Sequence, residues 1–355
     1  MEKRIEKIKN ILENDEAVLI TNDTNRRYFT GMPSSAGTVV ITKENAYLLI
    51  DFRYFEKAKN TVKNTQVILC EKLYSQLKEL LKNNNIKTVL CERDTLTVAY
   101  FENLKRNLED FTVIASEKLS CEINKLRSIK TKTEIANIKK AQQLTDKTFD
   151  YILSRIKTGV SEKEIMLDME FFIRKNGSEG VAFDFIVVSG ANSSLPHGVP
   201  TDKQIEKGDF ITMDFGAVVN GYRSDMTRTV AVGSITDKQR LVYNTVLNAQ
   251  KEALNVIKPD TECYLVDKAA RDFIANAGFG GCFGHGLGHS LGLDIHENPA
   301  CNTRDKTLLQ TGMIMTVEPG IYIENEFGVR IEDMVVVTED GYENLTESPK
   351  ELIII

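Results

Sequence analysis

Two aspartates interrupt a pair of apolar β-strands in the segment 209–232. The stretch ITMDFGAVVNGYRSDMT contains Asn220-Gly221, the favoured pair for a two-residue type I′ hairpin turn. If this turn forms, Asp214 pairs with Thr227, and Asp225 lies diagonally from Asp214 on the same face of the sheet. Their Cα atoms then lie roughly 7–8 Å apart, unless a β-bulge shifts the register. Both carboxylates could reach one cation; the alternative is that both point into solvent at a sheet edge.

A second pair of apolar strands carries two glutamates. Glu318 stands in IMTVEPGIYI, and Glu332 stands in GVRIEDMVVV. Carboxylates are rarely buried unless they are paired or bind a metal, because burial disfavours their charged form. Arg330 could neutralise one of the four acids but not all of them. The two segments together therefore predict a cation site.

The histidines are few and clustered. The chain has only four: His197, His285, His289 and His296. Three of them lie in GHGLGHSLGLDIHENP, where four glycines between 284 and 292 argue against a helix. A glycine-rich phosphate loop is the competing interpretation, but no G-K-[ST] or G-x-G-x-x-G pattern follows a strand here. The segment is expected to be extended or looped, with its imidazoles along the floor of a cleft.

Four carboxylates with one or more imidazoles make a hard, oxygen-rich ligand set. Such a set favours Mn, Fe, Co or Zn with water over a thiolate-bound structural zinc. Four carboxylates exceed what one divalent ion needs, so two ions about 3.5–4 Å apart balance the charge better. A metal pair lowers the pKa of a shared water and polarises a carbonyl. The predicted reaction is therefore hydrolysis of an amide or a phosphate ester.

The chain is long enough for two domains. Residues 1–122 alternate helical and strand patterns, which is typical of a small α/β domain. Residues 123–355 show the order helix, helix, hairpin twice, and capping boxes at 161–164 and 236–239 begin one helix in each half. We therefore expect an α+β catalytic domain in the second part, with a duplicated unit as the favoured interpretation.

Composition and charge exclude several classes of protein. The 355 residues carry a net charge of −6, which argues against a nucleic-acid partner. No apolar run reaches the roughly 18 residues of a membrane span. Six scattered cysteines without a C-x-x-C pair suggest reduced thiols, and so a cytoplasmic protein.

The motifs resemble those of the peptidase family with the pita-bread fold, which includes aminopeptidase P, prolidase and methionine aminopeptidase. The order Asp, Asp, His, Glu, Glu matches that family's five-ligand set. The motifs around these residues also match: MDFG, SDMTRT, HGLGHSLGLDIHE, TVEPGIYI and GVRIED. NRRYFTG and DFRYF in the first part resemble the creatinase-type N-terminal domain. Methionine aminopeptidases usually lack that domain, so the resemblance points to the Xaa-Pro branch.

The resemblance implies a role for each ligand. Asp225 and Glu332 would bridge two divalent ions, most often Mn²⁺, with Co²⁺ or Zn²⁺ as alternatives. His289 and Glu318 would complete one ion, and Asp214 would chelate the other. A hydroxide between the ions would attack the scissile carbonyl, with Glu318 as proton acceptor and donor.

Five further residues are implied or inferred to lie at the site. They are His197, His285, His296, Arg330 and Phe183. His285 and His296 would line the cleft and steady the substrate, and His197 would lie near the substrate backbone or, alternatively, be only a turn residue. Arg330 would orient ligand carboxylates. Phe183 is a candidate wall of the proline pocket and equally a core residue.

The leading hypothesis is a dinuclear Xaa-Pro aminopeptidase, which releases an N-terminal residue that precedes proline. The nearest alternative is a prolidase restricted to Xaa-Pro dipeptides. Methionine aminopeptidase activity and a non-catalytic pita-bread binding module follow, the latter disfavoured because all five ligand types are present. The expected partners are peptides with proline second, and the resemblance implies a homodimer or higher homo-oligomer.

Overall fold

A computed structural model describes residues 2–355 of the chain. They form two compact units: the first ends at Leu126, and the second comprises Arg127–Ile355. The sequence-based boundary after residue 122 lies within the helix Glu117–Ser128, shortly before this division. No helix among the described residues combines the length and the apolar character that crossing a membrane requires.

The first unit is a mixed sheet with helices. Its strands lie in the order β4-β3-β2-β1-β5-β6, and the pairs β1–β5, β5–β6 and β3–β4 are parallel. The elements are α1 (Glu2–Asn10), β1 (Glu16–Ile20), α2 (Asp23–Thr30), β2 (Thr38–Thr42), β3 (Ala46–Ile50), α3 (Phe52–Thr61), β4 (Gln66–Leu69), α4 (Leu73–Asn83), β5 (Thr88–Glu92), α5 (Val98–Asn107), β6 (Thr112–Ser116) and α6 (Glu117–Ser128). Apolar side chains of β1, β2, β3 and β5 pack with α4 and α5 to form its core.

The NRRYFTG motif is part of the scaffold of this unit. Arg26 is 1% exposed and donates hydrogen bonds to the carbonyls of Thr21 and Ser34. Asn25 donates to buried Glu92 at 2.7 Å. Because each buried charge finds polar partners, these residues fix the entry to α2.

The second unit repeats one order of elements, two helices followed by strands. The first repeat contains α7 (Lys132–Leu153), α8 (Glu162–Lys175), β7 (Ile186–Ser189), β8 (Phe210–Phe215), β9 (Val218–Val219), β10 (Tyr222–Arg223) and β11 (Met226–Ala231). The second contains α9 (Asp237–Asn255), α10 (Cys263–Ile274), β12 (Gly288–Ser290), β13 (Glu297–Cys301), β14 (Ile314–Val317), β15 (Gly320–Ile323), β16 (Phe327–Arg330), β17 (Asp333–Val337) and β18 (Tyr342–Asn344). The predicted capping boxes at 161–164 and 236–239 are confirmed at the starts of α8 and α9.

Each repeat has its own apolar core. The helices α7 and α8 pack on β7, β8 and β11, whereas α9 and α10 pack on β14, β15, β16 and β17. The three-stranded sheets have the orders β11-β8-β7 and β14-β17-β18. The predicted α+β class is therefore confirmed for this unit.

The first hairpin has the predicted register. Asn220 and Gly221 both have positive φ, 50° and 82°, as a type I′ turn requires. Asp214 pairs with Thr227. Gly216 permits this close approach, because a Cβ there would lie 1.9 Å from the carbonyl oxygen of Ser224.

Candidate metal centre

The two hairpins meet where their ladders are interrupted. In the second hairpin Val317 pairs with Asp333, and Gly320 pairs with Arg330, so Glu318 and Glu332 face each other in the gap between the two ladders. The backbone N–H of Glu332 donates to the carbonyl of Thr227 in β11 at 3.1 Å. The acids of both hairpins therefore converge.

Three carboxylates form the centre of this cluster. Asp214, Asp225 and Glu332 each present an oxygen, and these atoms lie within 4.8 Å of one another. Asp225 and Glu332 are only 4% and 1% exposed. One oxygen of Asp214 (Oδ1) and one of Glu332 (Oε1) are buried without any hydrogen-bond partner among residues 2–355. Buried unpartnered carboxylate oxygens are costly unless a cation neutralises them.

His289 brings an imidazole to the same point. Its Nε2 lies 3.5 Å from Asp225 Oδ2 and 3.5 Å from Glu318 Oε1. Its Nδ1 lies 3.1 Å from the carbonyl oxygen of Ser290, which can only accept, so Nδ1 carries the hydrogen. The lone pair of Nε2 therefore faces two carboxylate oxygens, an arrangement that a cation between them makes favourable.

Burial sets the protonation of these groups in the metal-free protein. Burial raises the pKa of Asp225 and of Glu332 well above the ordinary values, and the neighbouring acids raise each further. The pKa of Glu318 rises to about 8, again chiefly through burial. Burial lowers the pKa of His289 to about 4, so its ring is neutral at pH 7 and available as a ligand.

These observations fit divalent cations. The donor set is four carboxylates and one neutral imidazole, with two buried oxygens unsatisfied by the protein. Mn²⁺, a hard cation, and Zn²⁺, a borderline one, both suit a set of carboxylates with one imidazole. The cavity wall contains no cysteine within the described chain, so a thiolate site is excluded there.

Arg330 neutralises one of the acids. Its Nη2 donates to Asp214 Oδ2 at 2.7 Å, and its Nε donates to Thr227 Oγ1 at 3.0 Å. Its Nη1 donates to the hydroxyl of Tyr322 at 2.9 Å. The guanidinium is 3% exposed and orients Asp214 toward the other carboxylates.

His285 has a protein partner at each ring nitrogen. Nδ1 lies 2.8 Å from the carbonyl oxygen of Gly286 and so carries the hydrogen, which leaves Nε2 to accept from the Tyr322 hydroxyl at 2.9 Å. Burial lowers the pKa of His285 to about 4. A direct bond from this ring to a substrate would require one of these two bonds to break.

The sequence analysis missed Tyr322. A signal was available, because Tyr322 lies four residues after Glu318, and residues at even spacing share one face of a strand. Its hydroxyl joins Arg330 to His285.

A cavity of about 740 Å³ opens over the carboxylates. All ten residues singled out from the sequence line it: Phe183, His197, Asp214, Asp225, His285, His289, His296, Glu318, Arg330 and Glu332. The ring of His296 packs edge-on against that of His289, with centroids 4.5 Å apart. His197 and His296 are exposed, and Phe183 is half-buried. The structure brings these residues together, and their individual roles stay predictions.

Two further arginines line the cavity and were missed. Arg271 is held by Asp267 through two hydrogen bonds of 2.7 and 2.8 Å, and it also donates to the carbonyl of His285. The guanidinium of Arg304 is exposed and makes no hydrogen bond or ion pair with any residue of the described chain. Nothing in the surrounding stretch NTRDK distinguishes Arg304 by sequence alone.

Both parts of the chain are similar to domains of known peptidases. Residues 136–339 match the model of metallopeptidase family M24, and residues 4–129 match the Creatinase/Prolidase N-terminal domain. The chain is 39% identical to a Xaa-Pro dipeptidase of Pyrococcus furiosus, over 99% of this chain and 100% of that protein.

Solved structures with the same fold include two named peptidases. One is a Xaa-Pro dipeptidase from Bacillus anthracis, 42% identical with a TM-score of 0.96 and 99% coverage of both chains. Another is an X-Pro aminopeptidase from Thermotoga maritima MSB8, 36% identical with a TM-score of 0.91, covering 98% of this chain and 100% of that one. The chain therefore belongs to metallopeptidase family M24, with the pita-bread catalytic fold and the creatinase-type N-terminal domain that its motifs predicted.

Proposed function

We propose that the protein is a dinuclear Xaa-Pro dipeptidase, which hydrolyses dipeptides at the bond before proline. The sequence motifs favour a Xaa-Pro aminopeptidase first and a dipeptide-restricted prolidase second. The relatives at 39% and 42% identity are both named Xaa-Pro dipeptidase, which supports the second interpretation better than the first.

The free guanidinium of Arg304 is the observation that carries this choice. Of the three arginines in the cavity wall, Arg271 and Arg330 are bound to carboxylates of the protein, whereas Arg304 has no acidic partner among residues 2–355. A substrate anion is the natural partner for such a group, because guanidinium binds carboxylate with two parallel hydrogen bonds. A dipeptide has its carboxylate one residue beyond the scissile bond, and a longer peptide does not.

The position of Arg304 suits that role. Ala300 pairs directly with His289 across β12 and β13, and Arg304 lies on the turn that follows Ala300. An extended dipeptide spans at most about 7 Å, which sets the distance over which both of its ends must be recognised. Asn302 Oδ1 accepts from the backbone N–H groups of Arg304 and Asp305, and these two hydrogen bonds hold the conformation of the turn. A preorganised turn lowers the entropy cost of binding.

The five candidate ligands would hold two ions. Asp225 and Glu332 would contact both, His289 and Glu318 one, and Asp214 the other. Bound there, the ions would supply Lewis-acid activation of the scissile carbonyl and of a water. Mn²⁺ is the expected metal, with Co²⁺ or Zn²⁺ as alternatives.

The protein's own residues supply binding and proton transfer. Hydrolysis adds a hydroxyl to the carbonyl carbon, breaks the bond to the proline nitrogen and delivers one proton to that nitrogen. Glu318 faces the cavity and would accept that proton from water and pass it to the leaving amine. The exposed rings of His197 and His296 would contact the substrate backbone, and Phe183 would form an apolar wall for the proline ring.

Xaa-Pro aminopeptidase activity is the second candidate. The resemblance to the Thermotoga maritima X-Pro aminopeptidase at a TM-score of 0.91 favours it.

The cytoplasmic location and the homodimeric or higher assembly remain expectations. The six cysteines are free thiols in the structure, and their reduced state in the cell stays a prediction.

A peptide series distinguishes these functions. The substrates are Ala-Pro, Ala-Pro-amide, Ala-Pro-Ala and Met-Ala-Ser, each assayed with Mn²⁺, Co²⁺ and Zn²⁺. A dipeptidase hydrolyses Ala-Pro far faster than the other three. Equal rates on Ala-Pro-Ala would support the aminopeptidase instead, and preference for Met-Ala-Ser would support a methionine aminopeptidase. Absence of bound metal and of any hydrolysis would support the binding module.

Variants of the turn test the role of Arg304. Arg304→Met removes the charge, and Lys306→Met is the matched control, since Lys306 is exposed on the same turn but does not line the cavity. A hydrogen bond to a charged group contributes about 1.5–3 kcal/mol, so KM for Ala-Pro should rise roughly 10- to 150-fold in the Arg304 variant. The rate on Ala-Pro-amide should not change. Unchanged KM for Ala-Pro in Arg304→Met would contradict carboxylate binding by this residue.

A further inference from the structure

Thr227 joins two groups of the metal centre that the sequence does not connect. It is fully buried in β11, and the sequence analysis placed it only as the cross-strand neighbour of Asp214. Its hydroxyl oxygen accepts from Arg330 Nε at 3.0 Å and lies 2.7 Å from Glu332 Oε2. The side chain therefore lies between a guanidinium and a predicted metal ligand.

The chemistry of the partners fixes the direction of both hydrogen bonds. A guanidinium can only donate, so the Thr227 oxygen accepts from Arg330. The single hydrogen of that hydroxyl is then free to point at Glu332 Oε2, which it reaches at a short distance. Donation to this oxygen therefore attaches the carboxylate of Glu332 to the side chain of Thr227 in β11.

The same contact selects which oxygen of Glu332 remains free. Oε2 accepts from Thr227, whereas Oε1 is buried with no partner in the described part of the chain. The backbone adds a second attachment, since the N–H of Glu332 donates to the Thr227 carbonyl at 3.1 Å. Glu332 is thus held at its main chain and its side chain by one residue, and Oε1 is the oxygen left without a partner among residues 2–355.

The second hairpin repeats the arrangement. Thr316 accepts from the backbone N–H of His289 at 3.0 Å, and its hydroxyl donates to Glu318 Oε1 at 3.2 Å. An N–H donor again occupies the oxygen, so the hydroxyl hydrogen points at a carboxylate. At this one cluster, two threonine hydroxyls each accept from an N–H group and donate to a carboxylate. This repetition argues that the arrangement belongs to the site and does not arise from general strand packing.

We infer that Thr227 is a positioning residue of the metal centre: its hydroxyl, oriented by Arg330, holds the side chain of Glu332 turned so that Oε1 is available to a divalent cation. The inference rests on the proposed metal site and goes beyond it by assigning a residue that is not itself a ligand. Partners of metal ligands typically change metal affinity 10- to 100-fold when they are replaced.

The test measures binding of Mn²⁺ alone to the metal-free full-length protein by calorimetry. Thr227→Val removes the hydroxyl and keeps the shape, and Thr227→Ser restores the hydroxyl. Thr229→Val is the matched control, because Thr229 lies two residues along the same strand and is 1% exposed. Its hydroxyl contacts the Thr212 hydroxyl and the backbone carbonyl and N–H of Arg330, but no carboxylate.

We expect Thr227→Val to weaken Mn²⁺ binding 10- to 100-fold, and the Ser and Thr229 variants to stay within threefold of the wild type. Unchanged affinity in Thr227→Val would overturn the inference, and so would an equal loss in Thr229→Val, which would point to strand packing. A wild type that binds no Mn²⁺ would overturn the proposed metal site itself. Circular dichroism checks folding, and Thr227→Ala replaces the valine variant if that variant does not fold.

Discussion

Glu318 should make the metal-free protein less stable as the pH rises. Its pKa is raised from 4.5 to about 8 in the folded chain, chiefly by burial. Between these values the native state keeps a proton that the unfolded chain has lost, so the free energy of unfolding falls with increasing pH. The loss is roughly 4 kcal/mol between pH 4 and pH 8, and about 2 kcal/mol of it falls between pH 6 and pH 8. Asp225 and Glu332 act in the same direction.

Replacing Glu318 by glutamine removes this titration. Metal-free Glu318→Gln should therefore lose about 2 kcal/mol less stability than the wild type between pH 6 and pH 8. Glu324→Gln is the control, because Glu324 is exposed at the tip of the same hairpin. Mn²⁺ at a hundred times its dissociation constant should stabilise the wild type by about 2.7 kcal/mol for each site that it fills.

Urea unfolding in the presence of a chelator measures these quantities. The chain contains no tryptophan, so circular dichroism is the suitable probe. Because the chain has two compact units, the transition that Mn²⁺ shifts is the one to analyse. An identical pH dependence in Glu318→Gln and the wild type would refute the argument that burial keeps this carboxyl protonated.

Two further substitutions test the geometry of the site. His289→Ala should remove most activity and weaken Mn²⁺ binding while circular dichroism shows an intact fold, because the imidazole contacts the cluster from a short strand; near-normal turnover would contradict the ligand assignment. Gly288→Ala should destabilise the protein by about 1–3 kcal/mol and weaken Mn²⁺ binding, since a Cβ at this position would lie 2.0 Å from the carbonyl oxygen of Thr316. Wild-type thermal stability and affinity in this variant would show that β12 can move away from β14 without cost.

The choice between dipeptidase and aminopeptidase illustrates a limit of sequence motifs. The sequence motifs that contain the candidate ligands are common to both activities. They indicate how the scissile bond is hydrolysed, but they do not indicate the length of the substrate. Arg304 differs from Arg271 and Arg330 in lacking an acidic partner within the described residues. That difference depends on which side chains fold nearby.

The sequence alone determined the register of the first hairpin and the identity of the acidic cluster. Local rules suffice there, because a type I′ turn at Asn220-Gly221 fixes every pair along the strands. Glu318 and Glu332 were recognisable because charged residues interrupt apolar strands.

Only the tertiary structure decided how the two hairpins meet. It thereby also decided which residues form hydrogen bonds with each candidate ligand. Nothing in the neighbouring sequence distinguishes Thr227, Tyr322 or Arg304. Thr227 and Tyr322 form hydrogen bonds with residues that are distant along the chain, namely Glu332 and His285. The guanidinium of Arg304 lines the cavity and has no partner among residues 2–355. Hydrogen bonds act over about 3 Å, whereas periodicity describes only neighbours along one strand or helix. The sequence can therefore identify candidate ligands of a metal centre, but the groups that orient those side chains appear only when separate strands pack together.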